Sequence, residues 1–416
     1  MALARFLQVS DLHLGRPFGW LPNDRQDERR REQRRILERV VSIAIERGVD
    51  AILIPGDLFD AEGVDTDTVR SAVAAFEVPG CPPVFITPGN HDPASDSSLY
   101  WNPRLLAGRG IAWPAHVHVF VTPEWSSHSV PNLEGVRVWG RCFTANVPSL
   151  ERPLAPDALR EVSGPDANGF HVALFHGSRE GQCPPGQKIT APFSDDEATQ
   201  SPFAYLAVGH YHASSRLTGN QGASNGVRLA YAGSAAALDP TEIGVHGALE
   251  VRIEYDHRQP FVETEMVELD RRRVIDAEAD VSGCASAEQV DRRIQQAIER
   301  AGAGEHDLVT VRLAGRLARG VRMAQASSEV QARVWHLKLD WRRVRPDYDV
   351  AAYRAKDPST TEERFARTLL DQIEKEADPA QRALIESALF YGLDAFRLGE
   401  VVPAYEELES TTEESR

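Results

Sequence analysis

Short apolar runs that end in glycine, proline or polar residues dominate the first 255 or so residues of the chain. Runs of this length and composition are typical of buried β-strands. Two stretches, around residues 36–44 and 69–76, instead repeat apolar side chains every three to four positions and predict amphipathic helices. The order of these elements indicates an α/β core whose second half is largely β. The predicted strands are RFLQVS (from residue 5), AILIPG (51), PVFITPG (83), VRVWGRCF (136), HVALFHG (171), YLAVGH (205), VRLAYAG (227) and ALEVRIEY (248).

A helix followed by a strand is predicted beyond residue 285. Ser286 and Gln289 have the spacing of a capping box, which would start a helix with a regular apolar face. In LVTVRLAGRL, from residue 308, apolar residues alternate with polar or small ones, as in a half-buried strand. These elements predict a small α/β domain over residues 271–350.

Two further amphipathic helices are predicted over residues 355–402. Thr360 and Glu363 form a second candidate capping box, and Asp378 followed by a proline is a typical helix start. We expect the second helix to end at Gly392. These helices must pack on the rest of this chain or on a partner. Residues 403–416 are rich in glutamate and predict a solvated acidic tail.

The composition is that of an ordinary globular protein. The 416 residues are 42% hydrophobic and 26% charged, and this length favours two or three domains. No apolar run approaches the ~20 residues needed to cross a bilayer, and the N-terminus lacks the features of a signal peptide. Four scattered cysteines form no CxxC pair. We therefore expect a cytoplasmic protein without membrane contact and without a cysteine-built zinc site.

The net charge of −16 argues against a protein that coats nucleic acid non-specifically. Basic residues are nevertheless clustered locally. Residues 24–35 contain six arginines interleaved with acids at helical spacing, which is typical of a salt-bridged helix surface. The same arginines, those at 271–273 and the WRRVRP segment at 341–346 are also candidate phosphate contacts.

Candidate ligands directly follow five of the predicted strands. In YLAVGHYH, His210 and His212 are two residues apart, so an extended chain would turn both side chains to the same side. Since strand ends of one sheet can meet, all these groups are expected to converge. Each group alone could belong to a turn or to the core, whereas five groups together favour a functional site. The candidates are Asp11 and His13; Asp57, with Asp60 as an additional candidate; Asn90, His91 and Asp92; His176; and His210 and His212.

The donor atoms of these side chains indicate a two-metal site. They are carboxylate or amide oxygens and imidazole nitrogens without sulfur, a set that suits Mn²⁺, Fe²⁺ or Zn²⁺. There are too many donors for one tetrahedral ion but enough for two ions that share a carboxylate, and Asp57 is the natural bridge. Two ions about 3.5–4 Å apart activate water and clamp phosphate oxygens.

The motifs D-x-H, G-D-x-x-D, G-N-H-D, H and G-H-x-H, in this order, resemble those of the calcineurin-like metallophosphoesterase superfamily. Within it, FLQVSDLHLG, GDLFD, YLAVGHYH and residues 231–251 resemble the DNA-repair exonuclease branch of SbcD-like nuclease subunits. The resemblance implies a four-layered α/β core, two mixed sheets flanked by helices, as a catalytic domain over residues 1–260. A small α/β capping domain, which would bind DNA, would follow, and the C-terminal helices would come after it.

The resemblance also implies a role for each candidate. His91 would sit over the phosphate and stabilise or protonate the leaving group, and Asp92 would orient His91. One ion would be held by Asp11, His13, Asp57 and His212, and the other by Asp57, Asn90, His176 and His210.

The implied function is a metal-dependent phosphodiesterase that acts on DNA as an exonuclease or endonuclease, with a metal-bridged hydroxide attacking phosphorus. Mn²⁺ is the first candidate for both ions, with Fe²⁺, Zn²⁺ and Mg²⁺ as alternatives. The implied partners are DNA, an SMC-type coiled-coil ATPase (SbcC-like) and a second copy of the chain. A phosphatase or cyclic-nucleotide phosphodiesterase would use the same metal site. A catalytically silent scaffold is also conceivable, but the complete set of ligands weighs against it.

Overall fold

The computed structural model describes residues 2–61, 63–165, 169–184, 188–219, 226–255, 260–318, 321, 325–355, 357–399 and 401. The chain divides into two compact units, Met1–Val274 and Ile275–Arg416. The predicted acidic tail, residues 403–416, lies outside the described residues. Every helix in the described ranges is too short or too polar to cross a bilayer.

The first unit alternates strands and helices before it becomes mostly β, as the apolar pattern predicts. Its helices are α1 (Asn23–Arg47), α2 (Thr66–Phe76), α3 (Pro103–Ala107) and α4 (Asp195–Gln200). Its strands are β1 (Ala2–Gln8), β2 (Ala51–Ile54), β3 (Val84–Ile86), β4 (Val117–Val119), β5 (Ser126–Ser129), β6 (Arg137–Gly140), β7 (His171–His176), β8 (Tyr205–Gly209), β9 (Ser215–Thr218), β10 (Val227–Tyr231), β11 (Gly247–Tyr255) and β12 (Phe261–Glu268).

These strands form two six-stranded mixed sheets. In the first, with order β12-β11-β1-β2-β3-β4, strands β1 to β4 are parallel and β11 runs antiparallel to β1 and β12. In the second, with order β5-β6-β7-β8-β10-β9, the four central strands are parallel and the two edge strands antiparallel. Parallel strands end at the same edge of a sheet, so the loops after β1, β2, β3, β7 and β8 can meet.

The two sheets pack face to face between outer layers. Phe6 and Leu53 of the first sheet share one buried cluster with Leu174 of the second. On its other face the first sheet packs on α1 and α2, through residues such as Val40 and Val69. The outer face of the second sheet is covered by Trp125, by Phe203 and by Ala198, the last of which lies on α4. The predicted α/β class with two mixed sheets and flanking helices is confirmed.

Two of the candidate phosphate-contacting arginines are internal. The buried Arg29 of α1 donates to the carboxylate of Asp270 and forms an ion pair with Glu32. Arg272 is also buried and donates to Glu32 and Glu28. Both guanidinium groups are buried and already paired with internal carboxylates. The hypothesis that these two side chains contact phosphate is therefore wrong. They join α1 to the segment after β12.

The second unit consists of a small sheet and helices. Its sheet, in the order β13-β14-β15, comprises β13 (Val274–Asp280), β14 (Leu308–Leu317) and β15 (His336–Pro346). Its helices are α5 (Ala287–Arg300), α6 (Ser328–Gln331), α7 (Val350–Arg354), α8 (Thr361–Lys375) and α9 (Pro379–Leu398). Ser286 precedes α5 as predicted, but the capping box is wrong. The Ser286 side chain makes no cap hydrogen bond, and Gln289 accepts from the Ala285 N–H.

Helices α8 and α9 pack through Ala366, Leu370, Leu389 and Leu393. The predicted capping box at the start of α8 and the Asp378 cap of α9 are confirmed. The predicted end of α9 at Gly392 is wrong, since the helix continues to Leu398 and ends at Gly399 with φ 76°. Gly392 is instead a point of close approach, because a Cβ there would overlap the Phe365 ring.

Replacing Gly392 by alanine should therefore destabilise the second unit. Alanine would favour the helix by about 1 kcal/mol, but overpacking against a ring costs about 1–3 kcal/mol. We expect a lower free energy of unfolding by denaturant for G392A. In a F365L background, where the ring is absent, the same change should be neutral or stabilising. Equal effects of G392A in both backgrounds would contradict the close approach.

Candidate active site

The candidate ligands lie on loops that follow strands of both sheets. The loop after β1 is paired with the loop after β2, since Asp11 N donates to Gly56 O and His13 N to Asp57 O. Helix α1 holds the first loop from behind, because the buried Gln33 amide donates to the carbonyls of Leu12 and His13. Hydrogen bonds within the chain thus fix these two loops to each other and the first of them to α1.

These loops adopt backbone conformations that L-residues seldom take. Asp11, His13 and Asp57 have φ of 50°, 48° and 52°, and His210 has φ 113°. Such conformations cost about 1–3 kcal/mol each and persist where the surrounding structure imposes them. Their concentration in the candidate ligands is typical of a functional site.

Two glycines are required by close approach. A Cβ on Gly56, which has φ 100°, would overlap Nδ1 of His176. A Cβ on Gly89 would overlap Oδ1 of Asp57 and lie 2.8 Å from the Asp57 nitrogen. Glycine at these positions lets the loops after β2 and β3 lie directly beside the ligand side chains.

Asp92 has a different role from the one predicted. Its carboxylate is buried and accepts from the backbone N–H groups of Leu58 (2.9 Å), Phe59 (3.2 Å), Asp57 (3.2 Å) and Gly89 (2.7 Å). Burial, together with the charge of Asp57, raises the pKa of Asp92 well above its ordinary value. The prediction that Asp92 orients His91 is wrong. Asp92 ties the loop after β2 to the loop after β3.

His91 is oriented by the backbone instead. Its Nδ1 donates to Asp60 O at 3.1 Å, and its own N–H donates to Oδ1 of Asp57 at 3.0 Å. The His91 ring lies 4.8 Å from that of His13, at the side of the ligand cluster. Since Nδ1 is engaged, Nε2 is the nitrogen that remains to meet a substrate.

The remaining imidazoles form two pairs. The rings of His13 and His212 are 5.2 Å apart, and those of His176 and His210 are 5.1 Å apart. Asp57 lies between the pairs, with Oδ2 3.6 Å from His13 Nε2 and 3.3 Å from His176 Nε2. This is the position that a bridging carboxylate requires.

His210 and His212 thus contribute one ring to each pair. An extended chain would turn both rings to the same side, but φ 113° at His210 departs from extended backbone. Both rings still line the same cavity.

The arrangement fits divalent metal ions. Ligand atoms of Asp11, His13 and His212 lie within 4.8 Å of one another, and so do those of Asp11, Asp57 and His176. Asn90 adds an amide oxygen 3.0 Å from His176 Nε2. Nε2 of His13 is buried and has no hydrogen-bond partner among the described residues. A buried polar atom that lacks a partner amid oxygen and nitrogen donors is what a metal site requires.

Each paired imidazole donates its other N–H to a protein oxygen, as metal-binding histidines usually do. Two of these acceptors are side chains: Asp60, which was predicted as an additional candidate ligand, and Glu242, for which no role was predicted. Glu242 accepts from His212 at 2.7 Å, and Asp60 accepts from His13 at 3.1 Å. Glu242 lies in the 231–251 segment, but nothing in its local pattern relates it to a histidine 30 residues earlier.

The ionisable side chains of the cluster shift one another's pKa values. Burial disfavours ionisation of Asp57, but His176 and His13 outweigh it and lower the pKa of Asp57. Burial also disfavours a charged His176, yet the charges of Asp57 and Asp11 raise the pKa of that ring to about 9. Burial and the charge of His176 lower the pKa of His210 to about 3. The carboxylates thus favour positive charge at the centre.

Five of the candidate ligands line a cavity of about 460 Å³ together with His91; the five are His13, Asp57, Asn90, His210 and His212. Arg16 and Lys188 supply positive charge at its wall. Arg16 is held by Asp60 at 3.2 Å and by the carbonyl of Leu238. The site therefore combines metal-ligand donors, an imidazole and two cations around an open space, which suits an anionic substrate.

Comparison with known proteins identifies the class. The calcineurin-like phosphoesterase family model matches residues 4–214, just over half of the chain. The chain belongs to the calcineurin-like phosphoesterase family. Its fold and donor set are accordingly those of a metal-dependent phosphoesterase, a hydrolase.

Individual relatives are distant. The uncharacterized metallophosphoesterase YhaO of Bacillus subtilis is 27% identical over 255 residues, which cover 60% of this chain and 57% of YhaO. The DNA double-strand break repair protein Mre11 of Methanopyrus kandleri is 27% identical over 303 residues, 70% of this chain and 62% of that protein. The chain thus spans less than two thirds of these relatives. A solved dimetal phosphatase from Danio rerio aligns with a TM-score of 0.38 at 12% identity, covering 62% of this chain and 98% of its own.

The position of His91 predicts that turnover and metal binding can be separated. H91A should retain its metal but lose about 10²–10⁴-fold in turnover, since that is what a positioned proton donor contributes. Metal content is measured by elemental analysis, and turnover on bis(p-nitrophenyl) phosphate. The exposed His306 of the second unit provides a control, and H306A should resemble the wild type. A wild-type rate for H91A would show that His91 has no catalytic role.

Proposed function

We propose that the chain is a phosphodiesterase that cleaves DNA. The main support is the extent of its similarity to Mre11 of M. kandleri, which covers 70% of the chain. That share is longer than the first unit, Met1–Val274, so the similarity continues into the second unit. The similarity to YhaO, at 60% of the chain, does not require the second unit. A DNA-repair protein is thus related to more of this chain than the phosphoesterase fold alone.

The residues of the site are suited to phosphodiester hydrolysis. Asp11, His13, Asp57 and His212 would hold one ion, and Asp57, Asn90, His176 and His210 the other. Divalent ions at these positions would activate water and offset the negative charge of the phosphate, with Mn²⁺ as our first candidate.

His91 supplies the proton chemistry. Its Nδ1–H donates to Asp60 O, so the doubly protonated ring would donate its Nε2 proton to the oxygen that leaves phosphorus and remain as the Nδ1–H tautomer. Arg16 and Lys188, which line the same cavity, can donate charge-assisted hydrogen bonds to phosphate oxygens.

A direct assay distinguishes DNA from smaller substrates. We expect the full chain with Mn²⁺ to degrade labelled single- or double-stranded DNA, and a chelator to abolish this activity. The H91A variant, purified in the same way, controls for contaminating nucleases and should be nearly inactive. If DNA stays intact while p-nitrophenyl phosphate or a cyclic nucleotide is hydrolysed, the proposal fails and a small-molecule phosphoesterase replaces it.

We further propose that the C-terminal helices bind the coiled coil of an SMC-type ATPase. On α9, Leu384 and Leu398 are 61% and 44% exposed, although Leu389 and Leu393 of the same helix are buried against α8. Exposed apolar side chains on a helix can pack in the seam of a second helix.

Affinity purification of the tagged full chain from its native cells tests the partner. We expect a coiled-coil ATPase to co-purify with the wild type and to be lost from the L384E/L398E variant. V78E, at a 45% exposed valine of the first unit, is the control and should retain the ATPase. Recovery of only a second copy of the chain, or an ATPase that the double variant retains, would refute this contact.

A further inference from the structure

The two imidazole pairs of the centre differ in the protein oxygens that accept a hydrogen bond from each ring. A metal-bound imidazole usually donates its second N–H to a protein oxygen, and this acceptor affects both ring orientation and ligand basicity. A carboxylate acceptor brings a full negative charge, whereas a backbone carbonyl brings only a dipole. The identity of each acceptor therefore bears on how tightly each half of the centre holds its ion.

The pair His13–His212 is supported by carboxylates. Nδ1 of His13 donates to Asp60 Oδ1 at 3.1 Å, and Nδ1 of His212 donates to Glu242 Oε1 at 2.7 Å. Asp11 belongs to the same group of ligand atoms, but it belongs equally to the group of Asp57 and His176. This half therefore has two carboxylates, Asp60 and Glu242, in addition to the shared Asp11 and Asp57.

Glu242 is itself firmly positioned. Its side chain is 12% exposed, and Oε2 accepts from the hydroxyl of Ser234 at 2.8 Å and from the N–H of Leu238 at 3.0 Å. Because both carboxylate oxygens are engaged, the contact with His212 does not depend on a freely rotating side chain. It fixes the tautomer of His212 with Nε2 available to the metal.

In the part of the chain that the structure describes, the acceptors of the pair His176–His210 are backbone carbonyls. Nδ1 of His176 donates to Pro55 O at 3.0 Å, and Nε2 of His210 donates to Lys188 O at 3.0 Å. Asn90, the side chain beside His176, is a neutral amide. The carboxylates beside this half are Asp57 and Asp11, both of which are shared with the other pair.

Two contacts offset part of the negative charge beside the His13–His212 pair. Arg16 donates to Asp60 at 3.2 Å and offsets part of its charge, and the N–H of His210 donates to Asp11. No such cation contacts Glu242 in the described part of the chain, where its partners are His212, Ser234 and the N–H of Leu238.

We infer that the two halves of the centre bind metal unequally, and that Glu242 and Asp60 are the positioning residues that make them unequal. The half with His13 and His212 retains its ion, and the half with His176 and His210 releases its ion first. This inference rests on metal binding at the centre and not on DNA as the substrate.

Titration of the metal-free full chain with Mn²⁺ tests the inference. Free Mn²⁺ is followed by electron paramagnetic resonance, which reports binding without turnover. We expect two classes of site whose affinities differ at least about tenfold, and E242Q should weaken the tight class by about 10–100-fold, the usual effect of such partners. Glutamine keeps the size and an acceptor oxygen, so the loss reports the charge. H210A should remove the loose class and leave the tight one.

Two further variants separate this role from general effects on structure. E242D restores the carboxylate and should recover part of the tight affinity. E265Q removes the same charge from a 60% exposed glutamate of β12 and should change neither class. Equal affinities in the wild type, or an E242Q variant that weakens only the loose class, would overturn the inference. Two unequal classes without any DNA cleavage would leave it standing and refute only the proposed substrate.

Discussion

Three carboxylates, those of Asp11, Asp57 and Asp92, are buried where the strand ends of two sheets meet, and the centre is organised around satisfying them. A buried carboxylate is strongly unfavourable unless hydrogen bonds or opposite charges compensate it. Asp92 is satisfied by four backbone N–H groups, whereas Asp57 depends largely on imidazoles. Asp92 thereby connects the loops after β2 and β3, whereas Asp57 attracts cations.

The same need connects the two sheets. The N–H of His210, which follows β8 of the second sheet, donates to the carboxylate of Asp11, which follows β1 of the first. Nδ1 of His176 at the end of β7 donates to Pro55 O after β2. These contacts cross between the sheets, as do those of the buried Gln8 of β1, which donates to Ala230 O and accepts from the Tyr205 hydroxyl. The hydrogen bonds at the strand ends thereby set the relative position of ligands that come from different sheets.

The sequence predicts the part of this structure that depends on local patterns. The apolar runs gave the central strands, and polar residues directly after them gave the ligands, because a strand end and its loop are adjacent in the chain. Contacts between distant segments were not predictable in this way. Glu242 contacts a histidine 30 residues away, and Asp92 binds a loop 33 to 35 residues earlier. The local sequence predicts a helix end at Gly392, but glycine is required there because the ring of Phe365, on another helix, lies where a Cβ would be.

The short segment from Gly209 to His212 has a disproportionate effect on the chemistry. It supplies one imidazole to each pair, so its backbone conformation contributes to the separation of the two pairs. A Cβ on Gly209 would overlap Pro55 O and lie 2.9 Å from His176 Nδ1, so only glycine lets this segment approach β2 and β7 so closely. The next residue takes φ 113°, a conformation that departs from extended backbone. The two histidines of one HxH motif thus lie in different imidazole pairs, on either side of Asp57.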